Sequence, residues 1–512
     1  MEGTIFSLIP PIVVIILIIL TKRMFLSLGV GIALGALMYN GWNIVDSFTN
    51  VFTIMSEVLL GDGKVLVFVI LIGVLSSLLY LSGGILAFAE WGVKVAKTRF
   101  QAQLATMLLG FFTWFDDAFS CLFRGAVMKS VTDKYQVSHS KLSYLIHSTS
   151  APIALLVPVS ALAAFITSII AGVLSSTEIT EYQALEAFLL SIPTNYYTIS
   201  TIVLVFIAAF FSINVGQMKR DEKRAQEEGI LFDESRGKVP GAEESKLPSR
   251  TDGRMADLLL PVITLIVVTV ISAIWMGQSA EGPTSAMEVL KNTDVISALV
   301  NGGLCANLVI IARLLMKKTP GSHLTQSILS GAKTTLPSVC ILFLALVTAN
   351  IISSLGVGQY FATLIEGNLS LAWLPVIFFL FAAFISYSIG STLGTAGLML
   401  PIGAEIVAAT DITFLIPVIG AVLAGTVFGE HSSPLSDTTI LASIGSAVHP
   451  IDHMLTQLPY AVLSSIASIV GFIVLGFSGS TVFGLIVSLA TVLFGAFFLK
   501  NRQTKALLPA IK

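Results

Sequence analysis

The stretch GEHSSPLSDTT (429–439) interrupts an apolar segment, 412–446, that is longer than the about 20 residues one membrane crossing needs. Gly429 and Pro434 predict an unwound centre, because proline removes a backbone donor and frees a carbonyl group. Freed carbonyls, hydroxyls and carboxylates are oxygen ligands, which suit a hard cation such as Na+. The candidate ligands here are Glu430, Ser432, Ser433, Ser436, Asp437 and Thr438, with His431 beside them.

Two alternatives stay open for this stretch. The hydroxyl groups can cap two half-helices, a common use of Ser and Thr that is compatible with ion binding. His431 can exchange a proton near neutral pH, or it can be an ordinary hydrogen-bonding residue among apolar helices. For Glu430 and Asp437 we expect a functional role, because a carboxylate inside a membrane is costly.

The composition of the chain indicates a membrane protein. Of its 512 residues, 55% are hydrophobic and 11% are charged, whereas a soluble protein carries about 25% charged residues. The first apolar run, 5–20, is followed by Lys22 and Arg23, which predicts a permanent membrane helix rather than a signal peptide. The net charge of −2, without a basic patch interleaved with aromatic residues, gives no sign of nucleic-acid binding.

The sequence predicts an all-α polytopic membrane protein with about 11 transmembrane helices and two re-entrant hairpins. Segments 100–129 and 371–402 are too long for one crossing and too short for two, and each has a polar centre, so they are the candidate hairpins. The predicted crossings lie near 5–21, 24–40, 64–81, 143–174, 186–212, 256–277, 293–315, 335–355, 412–446, 454–477 and 481–499.

The distribution of lysine and arginine predicts the orientation. With the N-terminus outside and the C-terminus in the cytoplasm, 25 of the 28 basic residues lie on the inside, and only Lys64, Arg124 and Lys291 do not. Cytoplasmic loops of membrane proteins carry this excess. We therefore expect a multi-pass protein of the plasma membrane, with the lipid bilayer as its surrounding partner.

One long polar segment divides the chain. Residues 213–255 are rich in charge and poor in large apolar residues, which predicts a flexible cytoplasmic linker rather than a domain. It separates a first membrane half, 1–212, from a second, 256–500, and residues 501–512 form a cytoplasmic tail.

The two halves share the order hairpin, loop, broken crossing, which predicts inverted repeats at about 64–212 and about 335–480. HSTSAP (147–152) matches GEHSSP (429–434), and a hairpin with a polar centre precedes each. In the predicted topology the hairpins open from opposite sides, the arrangement that places transporter sites at the membrane midplane. The first-half candidates for lining the path are His147, Ser148, Thr149 and Ser150.

Each hairpin tip offers different groups. Asp116 and Asp117, at the first tip, would repel each other unless a cation, a proton or a hydrogen bond lies between them, and an ion pair with Arg124 is the alternative. The second tip has small residues that let its backbone approach a ligand or only allow tight helix packing. If it is functional, its helix N-termini would attract an anion or an organic carboxylate. The candidates there are Ser391, Thr392 and Thr395, among Gly390, Gly394 and Gly397.

The stretch HPIDHMLTQLPY (449–460) has two interpretations. Asp452, His453 and Gln457 could form a cytoplasmic gate or a pH-sensing cluster. The favoured alternative is a solvated loop followed by a helix cap.

Several function classes are excluded by missing motifs. The chain has neither the HExxH motif of a metalloprotease nor a Walker motif for ATP, so we expect no enzyme activity and no cofactor. Cys121, Cys305 and Cys340 are isolated, which indicates buried free thiols rather than a zinc site or disulfides. Transport must then be driven by gradients, and one charge crossing 100 mV supplies about 2.3 kcal/mol.

Three long motifs resemble those of the NhaC family of Na+/H+ antiporters. They are FGEHSSPLSDTTILASIG (428–445) with HPIDHMLTQLPYA (449–461), FDDAFSCLFRGAVMKSVTDKYQVSHSKLSYLIHSTSAP (115–152) and GSTLGTAGLMLPIG (390–403). The resemblance implies scaffold and transport domains, a homodimer and an elevator-like movement of the transport domain. The chain departs from the family pattern at Glu430, Ser432 and His147, where Asp, Cys and an acidic residue are usual; the change at His147 leaves room for an organic substrate.

The leading hypothesis is a secondary transporter that exchanges Na+ for H+ by alternating access. Asp116, Asp117, Glu430 and Asp437 would hold Na+ and protons in turn, and the hydroxyls of 148–150, 391–395 and 432–438 would complete the shell. The alternative is a Na+- or H+-coupled carrier or exchanger of a small organic carboxylate or amino acid. A channel or a non-transporting receptor is disfavoured by the inverted halves and the paired hairpins.

Overall fold

The computed structural model describes residues 4–21, 23–84, 86–87, 90, 96–233, 250–278, 294–357, 359–360 and 370–505. Within these residues the regular secondary structure is helical and contains no strand. The predicted all-α class is therefore confirmed.

The helices of the first half are α1 (Ile9–Thr21), α2 (Met24–Tyr39), α3 (Ile44–Ser82), α4 (Arg99–Gly110), α5 (Asp117–Lys134), α6 (His139–His147), α7 (Ala151–Leu156), α8 (Ala161–Ser176), α9 (Ala184–Ser191), α10 (Tyr196–Phe210) and α11 (Gln217–Glu227). Those of the second half are α12 (Met255–Gly277), α13 (Val295–Met316), α14 (Gly321–Ser354), α15 (Leu374–Ile389), α16 (Thr392–Ala409), α17 (Leu415–Ser432), α18 (Asp437–Ser446), α19 (Pro450–Ser478) and α20 (Thr481–Lys505).

Long apolar helices make the protein a multi-pass membrane protein. Among the described residues, ten helical stretches are long and apolar enough to cross a membrane, and twelve if each of two bent pairs is one crossing. The predicted number of about 11 lies in this range. One bent pair, 139–156 with 161–176, turns by 45° and was expected to be broken; the other, 184–194 with 196–210, turns by 48° and was not.

Two predicted boundaries differ from the structure. Helix α3 begins at Ile44, so a further apolar stretch, Ile44–Gly61, precedes the predicted crossing at 64–81. Its Asp46 and Glu57 lower its hydropathy, which is why the sequence did not reveal it. Helix α14 begins at Gly321 rather than near 335, because its polar first turns continue the same helix.

The predicted interruption of the segment 412–446 is confirmed. Helix α17 ends at Ser432 and α18 begins at Asp437, so the break contains Pro434. Gly429, which was expected to unwind, is helical instead. A Cβ atom there would come within 2.5 Å of the Tyr387 backbone nitrogen, so the glycine allows α17 to pack closely on α15.

The two expected hairpins are helix–turn–helix units. The second was predicted over 371–402 as too short for two crossings, but it extends to Ala409, and both Leu371–Ile389 and Thr392–Ala409 are long and apolar enough to cross a membrane. Residues 111–116 join α4 to α5, and Gly390 with Ser391 joins α15 to α16. Gly390 has a φ of 75°, and a Cβ on it would lie 2.6 Å from the backbone of Leu435 and Ser436. The tip of the second hairpin therefore rests directly against the break between α17 and α18.

The region expected to be a flexible linker begins with a docked helix. Helix α11 buries Met218 and Ala225 and packs against α6 and α19. Its Glu222 pairs with Arg99 at 2.5 Å and accepts a hydrogen bond from the Ser138 backbone at 2.8 Å. The prediction of a linker over 213–255 does not describe 217–233, and residues 234–249 lie outside the described part of the chain.

Candidate functional site

Glu430 lies where the second hairpin meets the broken helix. Its side chain stands on the last turn of α17 and is 1% exposed. The carboxylate accepts hydrogen bonds from the hydroxyls of Thr392, at the start of α16, and Thr438, in the first turn of α18. The three consecutive helices α16, α17 and α18 thus converge on one buried acid.

Asp117 and Asp437 occupy equivalent positions on two other helices. Each is the first residue of its helix, α5 or α18, and its carboxylate accepts from the next backbone N–H, of Ala118 at 2.9 Å and of Thr438 at 2.8 Å. Negative charge at a helix N-terminus is stabilised by the helix dipole. Asp117 is half-buried and Asp437 is exposed, so both are more open to solvent than Glu430.

The four predicted acids lie near one another but do not form one coordination shell. Asp117 is within electrostatic range of Glu430, Asp116 and Asp437. Within the described residues, however, no group of three or more His, Cys, Asp or Glu side chains is arranged to hold a metal ion. The compact oxygen cluster is Glu430 with its threonine hydroxyls, and the aspartates surround it.

Two of the first-half hydroxyls are bound by a buried arginine. The guanidinium of Arg124 donates to Thr149 Oγ1 at 2.8 Å, to the Ile146 carbonyl at 2.7 Å and to Ser150 Oγ. These two hydroxyls therefore hold the turn between α6 and α7 in place rather than facing the acids. Ser148 Oγ has no hydrogen-bond partner within the described residues.

The serines at the break mostly make local hydrogen bonds, and Ser436 caps a helix. Ser432 Oγ donates to the Phe428 carbonyl at 2.7 Å, and Ser433 Oγ accepts from the Leu435 N–H at 3.2 Å. Ser436 Oγ caps α18 and also lies 2.9 Å from Thr438 Oγ1. Of these three, only Ser436 is connected to the cluster around Glu430.

The other hydroxyls of the second hairpin tip also form hydrogen bonds with nearby backbone groups. Ser391 Oγ accepts from the Gly394 N–H at 3.2 Å, and Thr395 Oγ1 donates to the Ser391 carbonyl at 2.9 Å. They shape the start of α16, which places Thr392 on Glu430.

A buried histidine cluster adjoins Thr438, and its contact between His147 and His453 was not predicted. His147 Nε2 lies 3.0 Å from Thr438 Oγ1, and His147 Nδ1 lies 3.0 Å from His453 Nε2 and 3.1 Å from Gln457 Oε1. His147, His453 and Gln457 are all buried. The favoured prediction that 449–460 begins as a solvated loop is therefore wrong for His453 and Gln457. Their spacing of four residues, on one face of α19, was the available signal.

His431 faces away from the carboxylate of its neighbour. Its Nδ1 lies 3.0 Å from the hydroxyl of Tyr197 on α10, and its ring centroid is 4.6 Å from that of His147. Its Nε2 has no partner within the described residues. The arrangement fits a hydrogen-bonding residue at the edge of the histidine cluster.

Comparisons with known proteins identify two relatives in sequence. The chain is 36% identical to an uncharacterized protein of Haemophilus influenzae over 98% of this chain and 96% of that protein. It is 34% identical, over 115 residues, to the arginine/ornithine antiporter ArcD of Halobacterium salinarum, a match that covers 21% of this chain and 23% of that one.

Two solved transporters share the fold. The YdaH transporter of Alcanivorax borkumensis superimposes with a TM-score of 0.57 at 13% identity, over 85% of this chain and 90% of that one. MtrF of Neisseria gonorrhoeae, described within a class of antimetabolite efflux pumps, gives 0.51 at 16% identity, over 84% of each chain. Sequence identities this low support a shared fold and carry no information about function.

A sequence model of the Na+/H+ antiporter family matches residues 153–477. This range runs from α7 to α19 and contains Glu430, Asp437, Thr438 and the second hairpin. Together with the long apolar helices, this match makes the protein a membrane transporter. Since the match covers more than half of the chain, the protein belongs to the Na+/H+ antiporter family.

Proposed function

We propose that the protein is a secondary active transporter that exchanges Na+ for H+ at Glu430. The observation that carries this proposal is a fully buried carboxylate, at a helix break, held by two hydroxyl groups. Within the described part of the chain Glu430 makes no ion pair, whereas other buried acids do, such as Asp257 with Arg313 and Lys317.

The chemistry of exchange follows from that isolation. A buried carboxylate without a basic partner is costly as an ion, so it is stable when it binds either a proton or a cation. Both compete for the same oxygens, which makes their binding mutually exclusive. A hydroxyl can turn its proton away and offer its oxygen, so Thr392 and Thr438 can serve either state.

The other three acids are placed to line a path from solvent to Glu430. Asp116, Asp117 and Asp437 lie near Glu430 and are more open to solvent, so they would attract cations and pass them inward. Their position at helix N-termini and at the first hairpin tip matches the discontinuous helices of transporter sites. Thr149 and Ser150, which are bound by Arg124, would support this path rather than line it.

Alternating access through two inverted repeats is part of the proposal. Helix α6 ends at His147 within HSTSAP, and α17 ends at Ser432 within GEHSSP, so both matched motifs interrupt a helix. A hairpin precedes each break along the chain. An elevator-like movement of this unit in a homodimer would carry Glu430 between the two sides.

Purified protein in proteoliposomes tests the proposal. With a pH-sensitive dye inside, an inward Na+ gradient should drive proton efflux without any organic solute. The Glu430→Gln variant should be inactive, because it keeps the shape but cannot exchange a proton. Wild-type protein that moves no protons under a Na+ gradient would refute Na+/H+ exchange.

A second candidate is the exchange of a cationic amino acid. The similarity to an arginine/ornithine antiporter favours it, and acids around a polar centre could hold a guanidinium or ammonium group as well as Na+. Here liposomes loaded with ornithine should take up labelled arginine, an exchange that moves no proton and leaves the dye unchanged. Na+-driven proton flux in their absence would argue against this candidate.

A further inference from the structure

The buried histidine cluster has no task in the exchange proposed above. His147 uses both ring nitrogens, and its partners are on α18 and α19, about 290 to 310 positions later in the chain. Because the donor and acceptor roles of these groups are restricted, the direction of each hydrogen bond can be worked out from Glu430 outward.

The first step concerns Thr438. An ionised carboxylate has no proton, so the hydroxyl of Thr438 must donate to Glu430. A hydroxyl has only one proton. In the contact between Thr438 Oγ1 and His147 Nε2, at 3.0 Å, the histidine must therefore be the donor.

The second step concerns the opposite side of the ring. A neutral imidazole has one N–H, so with the proton on Nε2 the Nδ1 atom of His147 is an acceptor. It faces His453 Nε2 at 3.0 Å, which must then donate. The Nδ1 atom of His453 has no partner in the described residues, as expected for the unprotonated nitrogen of this tautomer.

The third step concerns Gln457. Its Oε1 atom lies 3.1 Å from His147 Nδ1, and its Nε2 has no partner in the described part of the chain. The two ends of an amide have nearly the same shape. With the NH2 group turned toward His147, both neighbours of Nδ1 are donors that share its lone pair.

We propose that His147, with His453 behind it, is a positioning residue that keeps the Thr438 hydroxyl directed at Glu430. The chain of donors runs from His453 to His147, to Thr438 and to the carboxylate. It supports the ionised form of Glu430 in the interval between releasing a proton and binding a cation. This inference rests on the proposed exchange at Glu430 and adds the group that orients it.

Two substitutions at His147 distinguish a positioning role from a general contribution to folding. His147→Gln can present an amide N–H near the place of Nε2, whereas the shorter His147→Asn cannot reach Thr438. For His147→Asn we expect the KM for Na+ to rise about tenfold with a similar maximal rate, since loss of an outer partner costs about 10- to 100-fold in metal affinity. His147→Gln should recover most of that loss, and His323→Gln, at the far end of α14, should behave as wild type.

The results of these experiments distinguish a failure of this inference from a failure of the proposed function. If wild-type protein exchanges Na+ for H+ and His147→Asn has an unchanged KM, the positioning role is wrong although the function stands. If wild-type protein shows no exchange, the function fails, and the histidine is then tested by its tautomer. In 15N-histidine-labelled protein in liposomes, the signal that is lost in His147→Gln should report a neutral ring with its proton on Nε2. A proton on Nδ1 would overturn the inference.

Discussion

The proposed exchange of Na+ for H+ depends on individual side chains around Glu430, and Thr392 offers the most direct test of their role. Its hydroxyl donates to Glu430 and crosses from the second hairpin to the broken helix. A hydrogen bond to a charged group contributes about 1.5–3 kcal/mol. We expect Thr392→Val to raise the KM for Na+ by about tenfold or more, measured as Na+-driven proton flux in proteoliposomes.

The matched control for that substitution is Thr426→Val. Thr426 is buried on the same helix as Glu430, and its hydroxyl donates only to the Leu423 carbonyl one turn earlier. The control should keep the wild-type KM. Equal effects of the two substitutions would mean that Thr392 acts through packing rather than through Glu430.

Among single residues, the sequence named the members of the oxygen cluster around Glu430 but not the contacts of the neighbouring histidines and Arg124. Glu430, Thr438 and Thr392 were named because carboxylates and hydroxyls beside a helix break suggest cation ligands. The contact between His147 and His453 joins positions 306 residues apart, which no local pattern reveals. The pairing of Arg124 with Thr149 and Ser150, rather than with the tip aspartates, was hidden for the same reason.

Helices α5 and α18 cross closely, and this crossing keeps Asp117 and Asp437 near each other. A Cβ atom on Gly125 would lie 2.4 Å from the Gly445 carbonyl carbon, so a side chain there must push the helices apart. We expect Gly125→Ala to destabilise the protein by about 1–3 kcal/mol and to lower transport, because Asp117 and Asp437 begin these helices.

The measurement is the midpoint of thermal aggregation in detergent, read by size-exclusion chromatography. Gly29→Ala is the control, since a Cβ on Gly29 meets no atom within 4 Å. A Gly125→Ala variant as stable as Gly29→Ala would show that the crossing can relax without cost.

The docked helix α11 supplies a prediction about pH. Burial raises the pKa of Asp221, while its hydrogen bond with Ser140 and the charge of Arg224 lower it and the charges of Asp452 and Asp233 raise it. A raised pKa in the docked state means that docking takes up a proton. Docking should therefore be tightest in acid and weaken as pH rises through the titration of this carboxyl group.

Hydrogen exchange over 217–227, corrected for the intrinsic effect of pH, measures that dependence. Protection should fall as pH rises from acid toward neutral in the wild type and change less in Asp221→Asn, whose amide can still accept from Ser140. Glu228→Gln, an exposed acid beside the same helix, should follow the wild type. Protection that increases with pH in the wild type would contradict the stated sign.

Element boundaries were predictable where a helix signal was strong. The break at 433–436 and the turn in each helix pair followed from Pro434 and the polar centres. Segment length was misleading for 371–402, because both of its helices are long enough to cross a membrane. Helix α11 was missed because it is almost entirely polar, and contacts with distant residues such as Arg99, Ser138 and Ser140 hold it in place. The helical Gly429 shows that glycine can serve close packing as well as unwinding.

For the whole molecule, the charge-derived orientation is open to a direct test. Single cysteines at Glu228 and at Trp42, both exposed positions, can be introduced after Cys121, Cys305 and Cys340 are replaced. A membrane-impermeant thiol reagent should label the cysteine at position 42 in intact cells and the one at 228 only after permeabilisation. The reverse pattern would invert the predicted topology.

The fold class was predictable at this scale because lipid leaves few choices. A chain with 55% hydrophobic residues and recurring long apolar runs must form helices in order to satisfy its backbone. What it transports depends on a few polar side chains, and neither composition nor hydropathy reports their arrangement. The family match places the protein among antiporters, and the choice between Na+ and an organic cation falls to experiment.

The central claim is that a proton and a cation compete for one carboxylate. Adding Na+ to purified protein in weakly buffered solution should release about one proton per chain, because a cation displaces the proton from its ligand. Glu430→Gln should release none, and Glu57→Gln, an exposed acid on α3, should release as much as the wild type. Undiminished proton release from Glu430→Gln would contradict the account.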